Sequence, residues 1–212
     1  GNFLWPLPAF CARDNQATFR VATWNILSPR QKNWPQRRIK ILERLEALEA
    51  DVVALQEALP RDPTDSLNRA MRDLGYEALH KPAADVSGGI EPPILYVRNA
   101  MFSIQWHDCH RRTVAALLQK RNFSGPPIYI LNVHLMGAPR EGRQRISQVR
   151  NALRTAKNQL DLDPKAPCLI VGDFNEAPRE GPLQTLMTAP ATLPPEVDVP
   201  GGLRDWLGWE FQ

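Results

Sequence analysis

The chain has 212 residues, of which 43% are hydrophobic and 23% charged, and its formal net charge is +3. These values are near the globular average, so they exclude wholesale disorder, a collagen-like repeat and a long coiled coil, and the length suits one large domain. The longest apolar runs, residues 128–131 and 168–171, are far shorter than the roughly 20 residues of a membrane-crossing helix, so no membrane span is predicted.

The chain start and the cysteines bear on the compartment. Residues 1–11 are apolar, but they lack a basic stretch and contain two prolines, which is not typical of a signal peptide. The first residue is glycine, so we expect a processed chain or an excised segment. An odd number of cysteines without a CxxC pair argues against a disulfide framework and favours an intracellular, reducing compartment; the three are Cys11, Cys109 and Cys168.

The predicted elements alternate between short apolar strands and amphipathic helices. In chain order we predict a strand at 19–27, a helix from Pro35 to about 50, a strand at 51–56 and a helix at 65–74. Five strands follow at 76–79, 94–97, 101–106, 113–118 and 128–135, then a helix at 141–160 and a strand at 168–171. This order favours an α+β fold with a two-sheet β-sandwich flanked by helices over a doubly wound fold.

Polar side chains stand at the ends of four of these strands. They are Asn25 in TWNIL, Glu57 in LQE, His134 in NVHL, and Asp173 with Asn175 in GDFN. An unpaired buried polar group costs about 1 to 3 kcal/mol, so a shared partner would relieve all of them together. Taken alone, each of these residues can be interpreted as a cap, a turn residue or a core histidine without a catalytic role.

A hard divalent cation suits these side chains. Mg²⁺, with Mn²⁺ as the alternative, binds through one or two carboxylates and substrate phosphate, and Glu57 with the amide oxygen of Asn25 fits that sparse set. Asp173 would orient or deprotonate a water, while Asn175 and His134 would donate hydrogen bonds to phosphate oxygens. The pattern therefore indicates phosphoester hydrolysis.

These motifs, in this order, resemble the endonuclease/exonuclease/phosphatase superfamily from about Arg20 to Pro178. NVHL followed by Arg145 and Gln148 resembles its deadenylase-like branch, which includes nocturnin, the Angel proteins and the 2′-phosphodiesterase. The resemblance implies a deoxyribonuclease I-like fold and a Mg²⁺-dependent exoribonuclease acting from the 3′ end, with RNA as partner. It also implies Glu57 as the principal metal ligand with Asn25 beside it, Asp173 activating water, and Asn175 with His134 contacting phosphate.

The chain departs from this family near its C-terminal end. The family has a Ser-Asp-His motif there, whereas this sequence has none, and Asp205 is the only late candidate. We therefore expect residues 1–18 to be an extension and 19–212 to be a C-terminally truncated domain with missing strands. Loss of those strands predicts an open sheet edge that a partner segment would cover.

Three further residues are candidates for substrate binding. Trp34 follows the Asn25 strand and would either stack a base or staple the next helix to the core. Arg140 and Arg143 follow His134 and would border the opening of the same site, although most basic residues belong to solvated faces.

The cluster His107-Asp108-Cys109-His110 has no second ligand pair, which favours a polar strand end over a metal site.

The sequence leaves three functions open. The first is an RNA-cleaving 3′–5′ exoribonuclease or poly(A)-degrading enzyme. The second keeps the fold with another phosphoester as substrate, such as a phosphoinositide, a dinucleotide or DNA. The third is a catalytically inactive remnant or binding module, suggested by the missing Ser-Asp-His motif.

Overall fold

In the computed structural model of the chain, residues 18–59, 66–82, 91–137, 142–160 and 167–176 are described, and they form eight strands and three helices. The first part contains β1 (Val21–Asn25), α1 (Trp34–Leu48), β2 (Val52–Gln56), α2 (Ser66–Asp73), β3 (Tyr76–Leu79) and β4 (Ile94–Arg98). The second contains β5 (Phe102–Cys109), β6 (Thr113–Lys120), β7 (Ile128–His134), α3 (Gly142–Leu160) and β8 (Cys168–Asp173).

The strands form two four-stranded sheets, with orders β1-β2-β4-β3 and β5-β6-β7-β8. In the first sheet β1 and β2 are parallel and the remaining pairs are antiparallel. In the second sheet β7 and β8 are parallel and the remaining pairs are antiparallel. Each parallel pair is connected through a helix, as parallel strands require.

Three apolar clusters join these elements into four layers. Val52, Leu95, Leu118 and Ile130 belong to the cluster between the sheets. The outer face of the first sheet packs against α1 and α2, and that of the second sheet packs against α3. The two-sheet α+β fold with flanking helices that the sequence predicts is confirmed.

The structure changes some of the predicted boundaries. β5 continues to Cys109 because its pairing with β6 resumes after a register shift between Ile104 and Trp106. His107, Asp108 and Cys109 therefore lie in a strand, and His110 pairs with Asp108 (Nε2–Oδ2 2.9 Å). Burial raises the pKa of Cys109 to about 11, so this thiol stays protonated at neutral pH.

Several predictions concern the chain ends. Among the described residues, β8 is an edge strand of the second sheet, and no helix there is both long and apolar enough to cross a membrane. Asp205 lies outside the described residues. The missing strands, the domain boundaries and the partner segment at the sheet edge stay predictions.

Candidate functional site

The predicted polar strand ends meet where the two parallel pairs finish. Asn25 is the last residue of β1, and Glu57 directly follows its neighbour β2. In the other sheet, His134 ends β7 and is paired in register with Asp173, which ends β8. Since both pairs finish at the same side of the sandwich, four side chains that are far apart in sequence converge.

Asn25 connects the two sheets. Its Nδ2 donates to Oε1 of Glu57 at 2.9 Å and to Oδ2 of Asp173 at 2.8 Å. Its Oδ1 accepts from the backbone N–H of Leu27 at 3.0 Å. The amide nitrogen, rather than the oxygen expected for a metal ligand, therefore faces the carboxylates, because ionised carboxylates only accept hydrogen bonds. Metal binding by Asn25 stays a prediction.

Glu57 is held by its backbone and by the loop after β1. Its φ of 57° lies in the left-handed region, which costs about 1 to 3 kcal/mol for a non-glycine residue. Its Oε2 accepts from the N–H of Ser28 at 3.0 Å. Strained backbone of this kind persists only where the surroundings over-determine it, which is common at functional sites.

Glu91 is a site residue that the sequence analysis missed. It is buried, with 7% exposed, and it accepts a short hydrogen bond from Oγ of Ser28. Nε of Arg30 lies 3.6 Å from its Oε1. The pKa of Glu91 is raised, and burial is the main cause. The hydrogen bond from Ser28 and the charge of Arg30 oppose this increase, while the nearby carboxylate of Glu57 adds to it. Glu91 thus fixes Ser28, whose N–H positions Glu57.

Gly172 lets β8 approach β7 closely. Its φ is 128°, and a Cβ there would lie 2.1 Å from the carbonyl oxygen of Val133. Only glycine fits this position without displacing backbone. The close approach places the next residue, Asp173, beside His134.

Asn175 organises the loop beyond β8. Its N–H donates to Oδ1 of Asp173 at 2.9 Å, and its Nδ2 donates to the carbonyl oxygen of Leu135 at 2.9 Å. Its φ of 50° is a left-handed conformation that asparagine tolerates better than most residues. Both oxygens of Asp173 are therefore oriented by amide donors.

His134 faces the first sheet across the site. Its Nε2 lies 4.0 Å from Oε1 of Glu57, and 11% of the side chain is exposed. Burial lowers the pKa of His134, although the carboxylates of Asp173 and Glu57 favour the protonated ring. Because burial is the largest of these effects, the imidazole is neutral at physiological pH.

Three side chains fix the backbone that follows His134. Arg112 donates to the carbonyl oxygens of His134 and Leu135, each at 3.3 Å. Arg145 donates to the carbonyl oxygen of Met136 at 3.2 Å, and Gln148 accepts from the N–H of Met136 at 3.2 Å. Arg145 and Gln148, which carry part of the family resemblance in the sequence, both lie beside this loop.

A buried amide pair connects the sheets below the site. Nε2 of Gln56 donates to Oδ1 of Asn132 at 2.7 Å. Nδ2 of Asn132 donates to the carbonyl oxygens of Ile94 at 2.8 Å and Leu55 at 3.1 Å. Gln56 precedes Glu57, and Asn132 lies two residues before His134, so this pair sets the relative position of the two strand ends.

The three predicted substrate contacts have different outcomes. Trp34, the first residue of α1, is 8% exposed and packs in the core. This position fits the helix staple better than a stacked base, and its role in substrate binding stays a prediction. Its ring prefers the core because burial removes a large apolar surface from water. Arg143 is exposed on α3, and Arg140 lies outside the described residues.

Sequence comparison connects this site to known proteins. A model of the endonuclease/exonuclease/phosphatase family matches residues 22–212. Carbon catabolite repressor protein 4 homolog 6 of Arabidopsis thaliana is 26% identical over 69% of this chain and 22% of that protein. Protein angel homolog 2 of Mus musculus is 25% identical over 78% of this chain and 36% of that protein. The chain thus spans well under half the length of these relatives.

Solved structures share the fold. The crystal structure of ANGEL2, described as a 2′,3′-cyclic phosphatase, superposes with a TM-score of 0.68 at 22% identity, over 80% of this chain and 56% of that one. The human nocturnin catalytic domain with bound sulfate has a TM-score of 0.65 at 23% identity, over 81% of this chain and 70% of that one. At these identities the similarity establishes the architecture of two sheets with flanking helices.

Proposed function

The chain belongs to the endonuclease/exonuclease/phosphatase family, in its deadenylase-like branch, and from this premise we propose that it is a Mg²⁺-dependent phosphodiesterase that shortens RNA from the 3′ end. The observation that carries the proposal is the bridge made by Asn25, whose single amide nitrogen contacts one carboxylate from each sheet. Two carboxylates drawn to one point form a suitable centre for phosphoester chemistry.

Glu57 would be the principal ligand of the divalent ion that enzymes of this family generally use, with Asp173 beside it. Their oxygens lie within hydrogen-bond distance of the same nitrogen atom. The described residues contain no group of three His, Cys, Asp or Glu side chains that could hold a metal ion by themselves. Mg²⁺ needs only one or two carboxylates because waters and substrate phosphate complete its shell. When bound, the ion polarises the phosphate and stabilises negative charge.

The chain's own residues would supply the remaining steps. Asp173, whose carboxylate is oriented by Asn25 and by the N–H of Asn175, would orient the attacking water and accept its proton. Neutral His134 and the second N–H of the Asn175 amide would donate hydrogen bonds to phosphate oxygens as charge builds. Arg143, exposed on α3, would contact the substrate outside this centre.

The test is Mg²⁺-dependent shortening of a 5′-labelled oligo(A) by the full chain. Glu57→Ala and Asp173→Ala should each lower the rate by about 10³-fold, because the first removes the ligand of the ion and the second removes the group that activates the water. Glu77→Ala and Asp73→Ala make the same chemical changes at exposed positions and should leave the rate unchanged. Activity that survives both site substitutions contradicts the assigned roles.

A second candidate reaction follows from the similarity to ANGEL2. A 2′,3′-cyclic phosphatase removes or opens the terminal phosphate and leaves the RNA length unchanged. Oligo(A) ending in a 2′,3′-cyclic phosphate separates the two reactions on one gel, since a ladder of shorter products supports the exonuclease and a mobility shift without shortening supports the phosphatase. If neither occurs with Mg²⁺ or Mn²⁺, the inactive binding module is favoured.

A further inference from the structure

Helix α3 has an unusual charge composition. Its 19 residues include no acidic residue and five basic ones: Arg143, Arg145, Arg150, Arg154 and Lys157. Arg145 is buried and pairs with Glu176 (Nη2–Oε1 3.5 Å). The helix in the corresponding place of the first sheet, α1, mixes four basic residues with Glu43 and Glu46. A helix with basic and no acidic residues attracts polyanions, whereas a mixed one is typical of a solvated surface.

Three basic residues of α3 lie along one stripe, of which Arg143 and Arg154 are exposed and Arg150 is half-buried. Arg143, Arg150 and Arg154 line a shallow cavity of about 240 Å³ together with Ile146, Ser147 and Asn151. Spacings of seven and four residues place the arginines on one face, roughly 10 Å and 6 Å apart along the axis at 1.5 Å per residue.

A second cavity of about 330 Å³ continues from this stripe. It lies between α3 and the turn that joins β5 to β6, and Asn151 lines both cavities. Arg111 and Arg112 come from the turn, and Gln148 and Thr155 come from the helix. His110 also lines it, but its pairing with Asp108 leaves the arginines as the source of positive charge. We call the two cavities together the α3 groove.

The α3 groove adjoins the candidate site through shared contacts. Arg112 and Gln148, which line the groove, also hold the backbone of residues 134–136. The carbonyl oxygen of Leu135 accepts from both Arg112 and Asn175. A ligand in the groove would therefore lie one side chain away from residues that orient Asp173.

We propose that the α3 groove binds the phosphate backbone of single-stranded RNA on the 5′ side of the bond that is cleaved. This inference rests on the proposed function, because a 3′–5′ exonuclease must hold the rest of its substrate while the 3′ end is in the site. Arginines pair with phosphates, and the neighbouring amides and hydroxyls of Gln148, Asn151 and Thr155 suit sugar and phosphate oxygens.

The groove is better suited to RNA than to an acidic protein. A protein interface has an apolar or aromatic centre inside a polar rim. Among the described residues, the large apolar side chains that are exposed are Trp24, Leu27, Ile39 and Leu48, and none of them lies on α3. A stripe of charge without such a centre matches backbone recognition of a nucleic acid.

The test compares two double variants in an Asp173→Ala background, which prevents cleavage. Fluorescence anisotropy measures the affinity for a labelled 20-nucleotide oligo(A) over a range of KCl concentrations. Arg150→Gln/Arg154→Gln should bind about ten-fold more weakly and should reduce the salt slope by about 1.4, at roughly 0.7 per phosphate contact in single strands. The matched control, Lys40→Gln/Arg44→Gln on α1, should change neither. Equal behaviour of the two variants overturns the proposal.

Kinetics with intact Asp173 separate this inference from the proposed function. Arg150→Gln/Arg154→Gln should raise the KM for the 20-mer, leave kcat unchanged, and leave hydrolysis of bis(4-nitrophenyl) phosphate unchanged, because that small diester does not reach the groove. RNA cleavage with an unchanged KM would support the proposed function and contradict RNA binding by the α3 groove. If the double variant loses RNA affinity but the chain cleaves no RNA, the groove is supported as an RNA-binding site and the exonuclease activity is contradicted.

Discussion

In the first sheet β1 and β2 run parallel and α1 connects them, and in the second sheet β7 and β8 run parallel and α3 connects them. Each pair delivers one carboxylate to its carboxyl end, Glu57 in the first sheet and Asp173 in the second. In each half an arginine donates hydrogen bonds to the backbone carbonyl groups at the end of the first strand of the pair and in the loop after it. Arg37 donates to those of residues 26–28, and Arg112 to those of residues 134–135.

The halves differ in how the carboxylate is aimed. The first half turns the chain at Glu57 itself, in a left-handed conformation, and holds its side chain from the loop at Ser28. The second half keeps Asp173 in the strand and brings it close through Gly172. In the first half the position of the carboxylate depends on the strained backbone of Glu57 and on buried Glu91, which holds Ser28. In the second half it depends on Gly172, which has no side chain. The same strand plan can thus position a carboxylate in two physically different ways.

Glycine substitution is the strongest way to test this difference. Gly172→Ala should lower the free energy of unfolding by about 3 kcal/mol, because its Cβ would overlap the backbone of Val133. Gly75→Ala in the first half, where φ is 86° and no atom lies within 4 Å of a Cβ, should cost about 1 kcal/mol from φ alone. Urea denaturation measures both, and equal costs would refute the close-approach explanation.

The amide pair between the halves should give a smaller effect. Asn132→Ala and Gln56→Ala should each cost about 2 kcal/mol, because each leaves buried groups without a hydrogen-bond partner. A double-mutant cycle should show a coupling of about 1 kcal/mol. Gln119→Ala, which removes hydrogen bonds to the loop between β6 and β7, should combine additively with Gln56→Ala. An additive Gln56–Asn132 cycle would mean that this pair does not couple the halves.

The smallest expected effect is the pH dependence from His134. Burial lowers its folded-state pKa below the ordinary value of 6.5, so the unfolded chain binds the proton more tightly. The stabilisation from the neutral ring is present above about pH 6.5 and is lost as the pH falls through the folded-state pKa. The difference in unfolding free energy between the wild type and His134→Gln, measured in EDTA, should shrink over that range. A difference that grows on acidification would show that the pKa is raised instead.

Local sequence determined most elements and their order. Strand β3 has the bounds that the sequence predicts, and its apolar end residues are buried. The prediction of α1 rests on apolar residues at helical spacing. The polar residues that follow apolar strands, Glu57 and Asp173 among them, were also visible. Hydrophobicity and its spacing along the chain are local properties of the sequence, so periodicity shows them.

Only the tertiary structure decided which atoms of these residues face one another. The orientation of the Asn25 amide depends on two carboxylates from different sheets, and the importance of Glu91 depends on Ser28, 63 residues away. Trp34 could equally have faced solvent until the packing of α1 enclosed it. Such contacts join residues that are remote in sequence, and their free energies depend on distance and solvent exclusion, which a linear pattern does not record.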